Sequence, residues 1–566
     1  MTDHGDQPAP RRRAARFGAA LALCAGLAVA STWPLAARLG DGEIALGTEE
    51  AATVPMASAW ALWWTADRAR HGFAGTWDAP IFYPAADAFA MSEPMPLCGL
   101  VAAPVFWAGG DPAMALDLIA LVALIGNGLA LWWLASRIGL DGWPALVCAA
   151  GGVLLPFAHH ELGVLTLVPL AGVILAVGFG LEVAARPGWR AGLALGAALG
   201  ASYLVCGQLA VFAALAIGPA ALVYGRRAPL AVLRALGLAA LVTAALAAPV
   251  AVAQHRAAAA ENLARSPERV EDGSASARSW WRASGVEIVP QPLIAQADPP
   301  GQRALFPGLV KLILAALAIG WAWRRPAWRE PVVYLALVAV AAIVWSMAPR
   351  IGVHGPYGLI RWLPGIGEIR SFWRAGAIAQ LCCAALAAVA VHAARGLARP
   401  RWLVGRGREA ACAALAVIAV IELWPGAPAL APTPGAEWDG VAAAVRAAVP
   451  PGAGVAHLPF PTASDVAALE PDARAMIVAT RHGRPIVNGY SSFFPRVQRA
   501  LVTRTRAFPA PTAFAALERA GVAAVVVDLA RLRGHRLPAA LPAGWREAYR
   551  DAALNVVVLA HGPPAP

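Results

Sequence analysis

From Phe17 to about Pro425 the chain returns repeatedly to apolar runs, many approaching the ~20 residues that an α-helix needs to cross a hydrocarbon layer. Nothing else in the sequence constrains its fold as strongly. Of its 566 residues, 59% are hydrophobic and only 14% charged, with mean hydropathy +0.58. A soluble chain of this length needs more charge than that to cover its own surface. The reading is a mostly α, polytopic membrane helical bundle. Its spans fall roughly at 17–37, 113–136, 143–157, 163–183, 191–207, 209–224, 235–253, 305–322, 331–347, 375–394 and 409–427, about eleven in all. Several are short, which Ala- and Gly-rich helices tolerate when they pack tightly inside a bundle.

Arginine sets the orientation. With the N-terminus inside, the inner connections carry Arg137, then Arg186 and Arg190, then Arg226, Arg227 and Arg234. Arg324, Arg325 and Arg329 follow, and finally Arg395, Arg399, Arg401, Arg406 and Arg408. Every such cluster lands on the cytoplasmic side, as the positive-inside rule demands. The pattern holds if 96–108, which is short and contains Pro104, does not cross alone; a crossing by 51–66 as well would restore the same parity. The start, Arg11-Arg12-Arg13 before an apolar run with no clear small-residue cleavage site, reads as an uncleaved signal anchor. The expected location is the inner (plasma) membrane. The outer face then gathers 38–111, the link His159-His160-Glu161-Leu162-Gly163, the loops 254–304 and 348–374, and everything after about 428. The net charge of +12 is spread over short inter-span clusters, unlike a nucleic-acid groove, so no nucleic-acid partner is expected.

Hydrophobicity drops after Trp424-Pro425-Gly426, and a Pro/Ala linker opens one ordinary domain's worth of chain. The division expected is 1–427 for the membrane part and 428–566 for an extracytoplasmic α/β domain. Short apolar runs at Gly454–Leu458, Pro485–Asn488, Val522–Asp528 and Leu554–Leu559 read as buried strands, with helical patterns at 436–448, 465–480 and 511–520 between them. No Gly-x-Gly-x-x-Gly follows any strand. The seven cysteines all lie in or beside apolar runs before residue 428, so the last domain has neither a disulfide framework nor a zinc site.

Polar residues capable of chemistry concentrate in the outer pieces. The first outer segment carries Asp41, Glu43, Glu49, Glu50, Asp67, Asp78, Asp87 and Glu93. Such carboxylates suit a general base or a divalent metal ion, although solvation alone also makes an outer loop acidic. His159-His160-Glu161 reads either as a proton-handling group beside the membrane surface or as a wet turn, and its spacing matches no zinc signature. The 348–374 loop breaks the positive-inside pattern with Arg350, Arg361, Arg370 and Arg374 against Glu368 alone. Arginine grips phosphate with a planar fork, so this cluster suits a lipid phosphate, or anionic headgroups in general. Within the spans stand Asp117, Asn127, Lys311 and Glu422; three of these lie near an outer end, where they could snorkel.

Several stretches together resemble a bacterial branch of the GT-C superfamily of membrane glycosyltransferases. They are Trp77-Asp78-Ala79-Pro80-Ile81-Phe82-Tyr83-Pro84 with Ser92-Glu93, Phe157-Ala158-His159-His160-Glu161, and Leu305-Phe306-Pro307-Gly308. Arg370-Ser371-Phe372-Trp373-Arg374 and Arg484-Pro485-Ile486-Val487-Asn488-Gly489-Tyr490-Ser491-Ser492-Phe493-Phe494-Pro495 complete the set. The resemblance implies a polyprenyl-phosphate-linked sugar as donor, a glycan or protein acceptor, and a catalytic carboxylate in the first outer loop. That role falls on Glu50 or Glu49, where relatives tend to have an aspartate, or on Asp41 in a different register. His159, His160 and Glu161 become further catalytic candidates. Arg361, Arg370 and Arg374 become the phosphate-holding patch, and Glu93 and Tyr490 join them as substrate-binding candidates. A GT-C-shaped protein that only holds lipid-linked glycans, and a transporter, are the competing expectations.

Overall fold

The computed structural model describes residues 10–263, 265–285, 287–288, 294–296, 303–352, 355–363, 365–367, 369–396, 406–463, 465–532 and 536–562. Glu368, Arg399 and Arg401 lie outside the described residues. Two compact units emerge: residues 1–37, 120–248 and 265–428 in the first, and 38–119, 249–264 and 429–566 in the second. The first outer segment, expected to go with the membrane part, therefore clusters with the C-terminal residues.

The first unit is helical. Each apolar run expected to span is met by a helix, and among the described residues eight helices are long and apolar enough to cross a membrane. The chain is a multi-pass membrane protein. Three of the expected spans form shorter helices, Trp189–Tyr203, Leu309–Trp323 and Arg406–Ile421. Small residues permit the close packing. On Trp189–Tyr203, a Cβ at Gly192 would come within 2.6 Å of the Ala235 carbonyl, and one at Gly196 within 2.7 Å of the Ala239 carbonyl. The spacing of four puts both glycines on one face, pressed backbone to backbone against helix Pro229–Glu261. Asn127 is fully buried, with a structural task in view: its amide donates to the Val168 carbonyl (2.8 Å) and accepts from the Leu170 N–H (2.7 Å). It thereby satisfies backbone groups just ahead of helix Ala171–Ala185.

In the second unit the C-terminal residues form a four-stranded sheet in the order Gly454–Leu458, Val522–Asp528, Val556–His561, Trp545–Asp551. The first pair is parallel and the rest antiparallel. Ala456 and Leu458 join Leu501, Phe508, Phe514 and Leu517 in a core on one face, built with helices Arg496–Arg504 and Pro511–Arg519. A separate antiparallel pair joins Glu43–Gly47 to Ala429–Pro432. Helix Thr53–Arg70 packs against Pro96–Trp107 and against Glu470–His482, so the 51–66 run is a buried surface helix rather than a span. Pro96–Trp107, with Pro104 inside it, falls short of a span.

The two sequence stretches some 400 residues apart meet here. Ile486 donates to the Pro80 carbonyl (3.0 Å), Tyr83 to the Ile486 carbonyl (2.9 Å) and Phe82 to the Asn488 carbonyl (3.2 Å). Phe82 packs edge-on against Phe494, and a Cβ at Gly489 would come within 2.7 Å of the Phe82 ring. On the other side of the 485–488 segment, Val455 and Ile486 form a parallel bridge beside strand Gly454–Leu458. Two residues further along, the Asn488 side chain takes over the ladder, accepting from the His457 N–H (2.7 Å) and donating to the His457 carbonyl (2.9 Å).

Candidate active site

The first outer segment is built around its carboxylates. Asp41 is exposed in the turn before strand Glu43–Gly47, and Arg38 pairs with Glu43 at 3.1 Å. The strand is pinned by Asp117, whose Oδ1 accepts the Ala45 N–H at 3.2 Å. Asp117 is only 2% exposed, with Glu43 and Asp111 close enough to act on its charge. It does not snorkel; it spends one oxygen on a backbone donor and leaves an acidic neighbourhood around Glu43. Glu49 and Glu50 follow in the turn that leads into helix Thr53–Arg70, Glu49 half-buried and Glu50 exposed. A carboxylate just ahead of a helix N-terminus is held by the helix dipole. Asp41, Glu43, Glu49 and Glu50 thus stand on one short strand and its two ends.

Within the first unit, His159, His160 and Glu161 are all buried. They end the short helix Pro156–His160 and are no wet turn. The Phe157 N–H donates to Gln380 Oε1 (3.1 Å), its ring packs against Trp373 at 5.4 Å, and His159 Nε2 lies 3.0 Å from the Val153 carbonyl. His160 Nε2 is 3.5 Å from Oε1 of Glu287, a residue that sequence patterns did not single out. Glu287 also accepts from the Ser284 N–H (3.1 Å), the Ser284 hydroxyl (2.6 Å) and the Gly285 N–H (3.0 Å). Burial opposes its charge, but hydrogen bonds from His160 and Ser284 and the charge of His160 outweigh it and bring the carboxyl down to about 2. Lys311 and Glu422 are 7% and 8% exposed, so they too lie inside the protein rather than reaching for the surface.

Arg265, Arg269, Arg350, Arg361, Arg370 and Arg374 fall in the same unit. Arg370 and Arg269 each lie within charge reach of Arg265; burial first, then the charges of these two, bring the Arg265 guanidinium down to about 10. Arg350 and Arg282 act in the same way on Arg303, with Asp272 partly offsetting them. Arg350 is held by the Ser274 carbonyl (3.2 Å), and Trp373 N–H by the Gly273 carbonyl (3.2 Å). Arg374 donates to Gln208 Oε1 at 3.3 Å, while its buried Nε makes no hydrogen bond. Arg361 is exposed at the end of helix Pro356–Ile360, beside Tyr357. Crowded like charges of this kind suit a multiply charged anion. Among the described residues, no group of three or more His, Cys, Asp or Glu side chains is placed to hold a metal ion.

In the second unit Glu93 is half-buried next to Ser92, whose hydroxyl is 3.3 Å from that of Ser492 and whose carbonyl accepts from Gln254 (3.0 Å). Tyr490 is half-buried, its N–H on the Met476 sulfur at 3.2 Å. The structure therefore brings the neighbourhoods of Glu93 and Tyr490 into one unit.

Among solved structures, the arabinofuranosyltransferase AftD from Mycobacteria superposes over 99% of this chain with a TM-score of 0.56 at 15% identity. The fold is that of the GT-C membrane glycosyltransferases. This chain spans 40% of AftD's length. The archaeal oligosaccharyltransferase AglB from Archaeoglobus fulgidus, in complex with an inhibitory peptide and a dolichol-phosphate, gives a TM-score of 0.47 at 12% identity over 91% of this chain and 69% of its own. ArnT from Cupriavidus metallidurans, bound to undecaprenyl phosphate, gives 0.46 at 13% identity over 98% and 100%. No protein-family model and no curated protein matches the sequence. At these identities the GT-C likeness concerns fold, and the chemistry has to be argued from this chain's own residues.

Proposed function

We propose that this protein is a membrane glycosyltransferase that moves a sugar from a polyprenyl-phosphate donor to an acceptor on the outer face of the inner membrane. What carries the reading is a GT-C fold over nearly the whole chain; the carboxylate-lined first loop and the arginine group of 265–374 fit it. Glu50, Glu49 or Asp41 takes the proton from the acceptor hydroxyl, whose oxygen attacks the anomeric carbon. The bond from that carbon to the lipid phosphate breaks, and Arg370, Arg265, Arg269 and Arg374 receive the growing phosphate charge. His160, 3.5 Å from Glu287, is a second proton-handling group.

The test is transfer from a short-chain polyprenyl-phosphate sugar, with an arabinofuranosyl donor first because AftD transfers that group. Glu50→Gln, Glu49→Gln and Asp41→Asn are compared with wild type at equal folded yield. At least one should lose transfer by roughly a hundredfold or more, the scale of a lost general base. If all three retain full rates, the carboxylate mechanism is wrong. If transfer is absent from wild type while polyprenyl phosphate still binds in an Arg370-dependent way, the protein is a carrier-binding relative without turnover. EDTA treatment separates a carboxylate acting as base from one that holds a divalent cation.

A further inference from the structure

Of the 46 lysines and arginines in this chain, one is a lysine. Arginine serves everywhere else, on inner loops, outer loops and helix ends alike. The exception, Lys311, is not at the surface: it lies in the first turn of helix Leu309–Trp323, 7% exposed. Glu422, Cys383 and Glu287 are the groups close enough to act on its charge.

Both carboxylates are held there by their own segments. Glu422 directly follows helix Arg406–Ile421, and its Oε1 accepts the Val310 N–H at 2.8 Å. A Cβ on residue 308 would come within 2.4 Å of Glu422 Oε2, and Gly308 has φ of +105°, so the close approach and the backbone both require glycine. Glu287 arrives from the other direction. Its backbone bridges to Pro425, Ile288 donates to the Trp424 carbonyl at 3.0 Å, and Ala283, Phe306 and Leu423 form a small apolar cluster alongside. Three segments, 282–288, 306–311 and 422–425, therefore converge, each bringing one charged side chain into a buried place.

Two carboxylates buried where the same three segments meet repel each other unless a cation serves both. An ammonium is compact and offers three rotatable donors, so it can serve two acceptors from different directions, whereas a guanidinium presents a rigid planar fork suited to one. We infer that Lys311 is a positioning residue, the shared counter-ion of Glu422 and Glu287, and that through Glu287 it fixes His160. The link to His160 rests on the transferase reading above; the charge sharing does not.

A single lysine makes the test unusually direct. Lysine labelled with 13C at Cε gives one side-chain resonance from this protein, provided the purification tag has no lysine. In Glu422→Gln and in Glu287→Gln that resonance should shift, while Glu182→Gln, on a distant helix, should leave it in place. An identical resonance in all three overturns the inference. Lys311→Met should lower kcat roughly ten- to a hundredfold with little change in KM, as a small displacement of a catalytic group does. Lys311→Arg at equal folded yield should remain impaired. Wild-type kcat and KM in folded Lys311→Met would refute the positioning role. A shifted resonance in a protein that transfers no sugar would instead sink the transferase reading and leave the shared counter-ion standing.

Discussion

Glu287 in the first unit and Asp472 in the second both have buried carboxylates, and the structure shifts their protonation in opposite directions. Glu287 faces His160 at 3.5 Å, with two further donors on Ser284 and one on Gly285, and it is brought down to about 2. Asp472, 2% exposed, accepts one hydrogen bond from Asn488 at 2.7 Å and is pushed up to about 7, burial outweighing Asn488 and Arg531. Its neighbours follow suit: burial lowers His457 to about 4, and burial together with the charges of His457, Arg484 and Arg446 lowers His482 to about 3. Burial raises a carboxyl and lowers an imidazole; a partner of opposite charge or hydrogen bonds to the charged form reverse it. One cluster is built to keep charge and the other to shed it.

The sharpest way to break this contrast is Glu287→Ala. It takes from His160 the carboxylate 3.5 Å away and leaves Lys311 with Glu422 alone, and removing one member of a buried pair costs about 3–5 kcal/mol. Apparent melting in detergent should fall steeply, and amides of 282–288 should exchange faster. Glu287→Gln should lose less, since its amide oxygen can still accept from Ser284. Equal melting for wild type and Glu287→Ala would mean that the carboxylate is a spectator.

A smaller loss is expected at Asn488→Ala. The Asn488 amide closes the strand ladder on both backbone groups of His457 and also donates to Asp472. Leaving such buried groups unmade costs about 1–3 kcal/mol each, partly recovered by water. Exchange should rise in strand Gly454–Leu458 and leave 282–288 untouched. Loss of protection in both places would show that the clusters are not independent.

How far these features could be read in advance depends on whether they are local. Apolar runs are local, so every expected span meets a helix, and the acidic character of the first loop was plain from Asp41, Glu43, Glu49 and Glu50. Strand Trp545–Asp551 was not, because Arg546, Glu547, Arg550 and Asp551 charge it heavily, a common guard on an edge strand. The pairing of Glu43–Gly47 with Ala429–Pro432 joins segments far apart in the chain and leaves no periodic trace. Glu287 sat in a loop of mixed charge with nothing to mark it, and its importance comes from His160, Ser284 and the 422–425 segment meeting it in space. Lys311 and Glu422 looked like snorkelling residues because each was judged against the bilayer alone. The lone lysine in an arginine-rich chain is the available signal.

The change that vanishes at low pH, and the one that sharpens the contrast most, is Asp472→Asn. The change keeps an oxygen to accept from Asn488, so only the ionisation is removed. Because the folded-state value lies above the ordinary value near 4, the folded protein holds a proton that the unfolded chain has released across the interval from about 4 to about 7. Wild-type stability from this residue is therefore complete below about 4 and drains away as pH rises to about 7, levelling off beyond. The asparagine variant has no such loss. Melting temperatures of the two proteins should coincide near pH 4 and separate by roughly ten degrees at pH 8, with the variant higher, at about 1.4 kcal/mol per pKa unit and about 2–4 °C per kcal/mol for a domain of ordinary size. Glu287 runs the other way, its contribution present above the ordinary value and lost only as pH falls toward about 2. A variant melting below wild type at pH 8 would mean that Asp472 is charged and paired in the folded protein, and the difference between the two clusters would disappear.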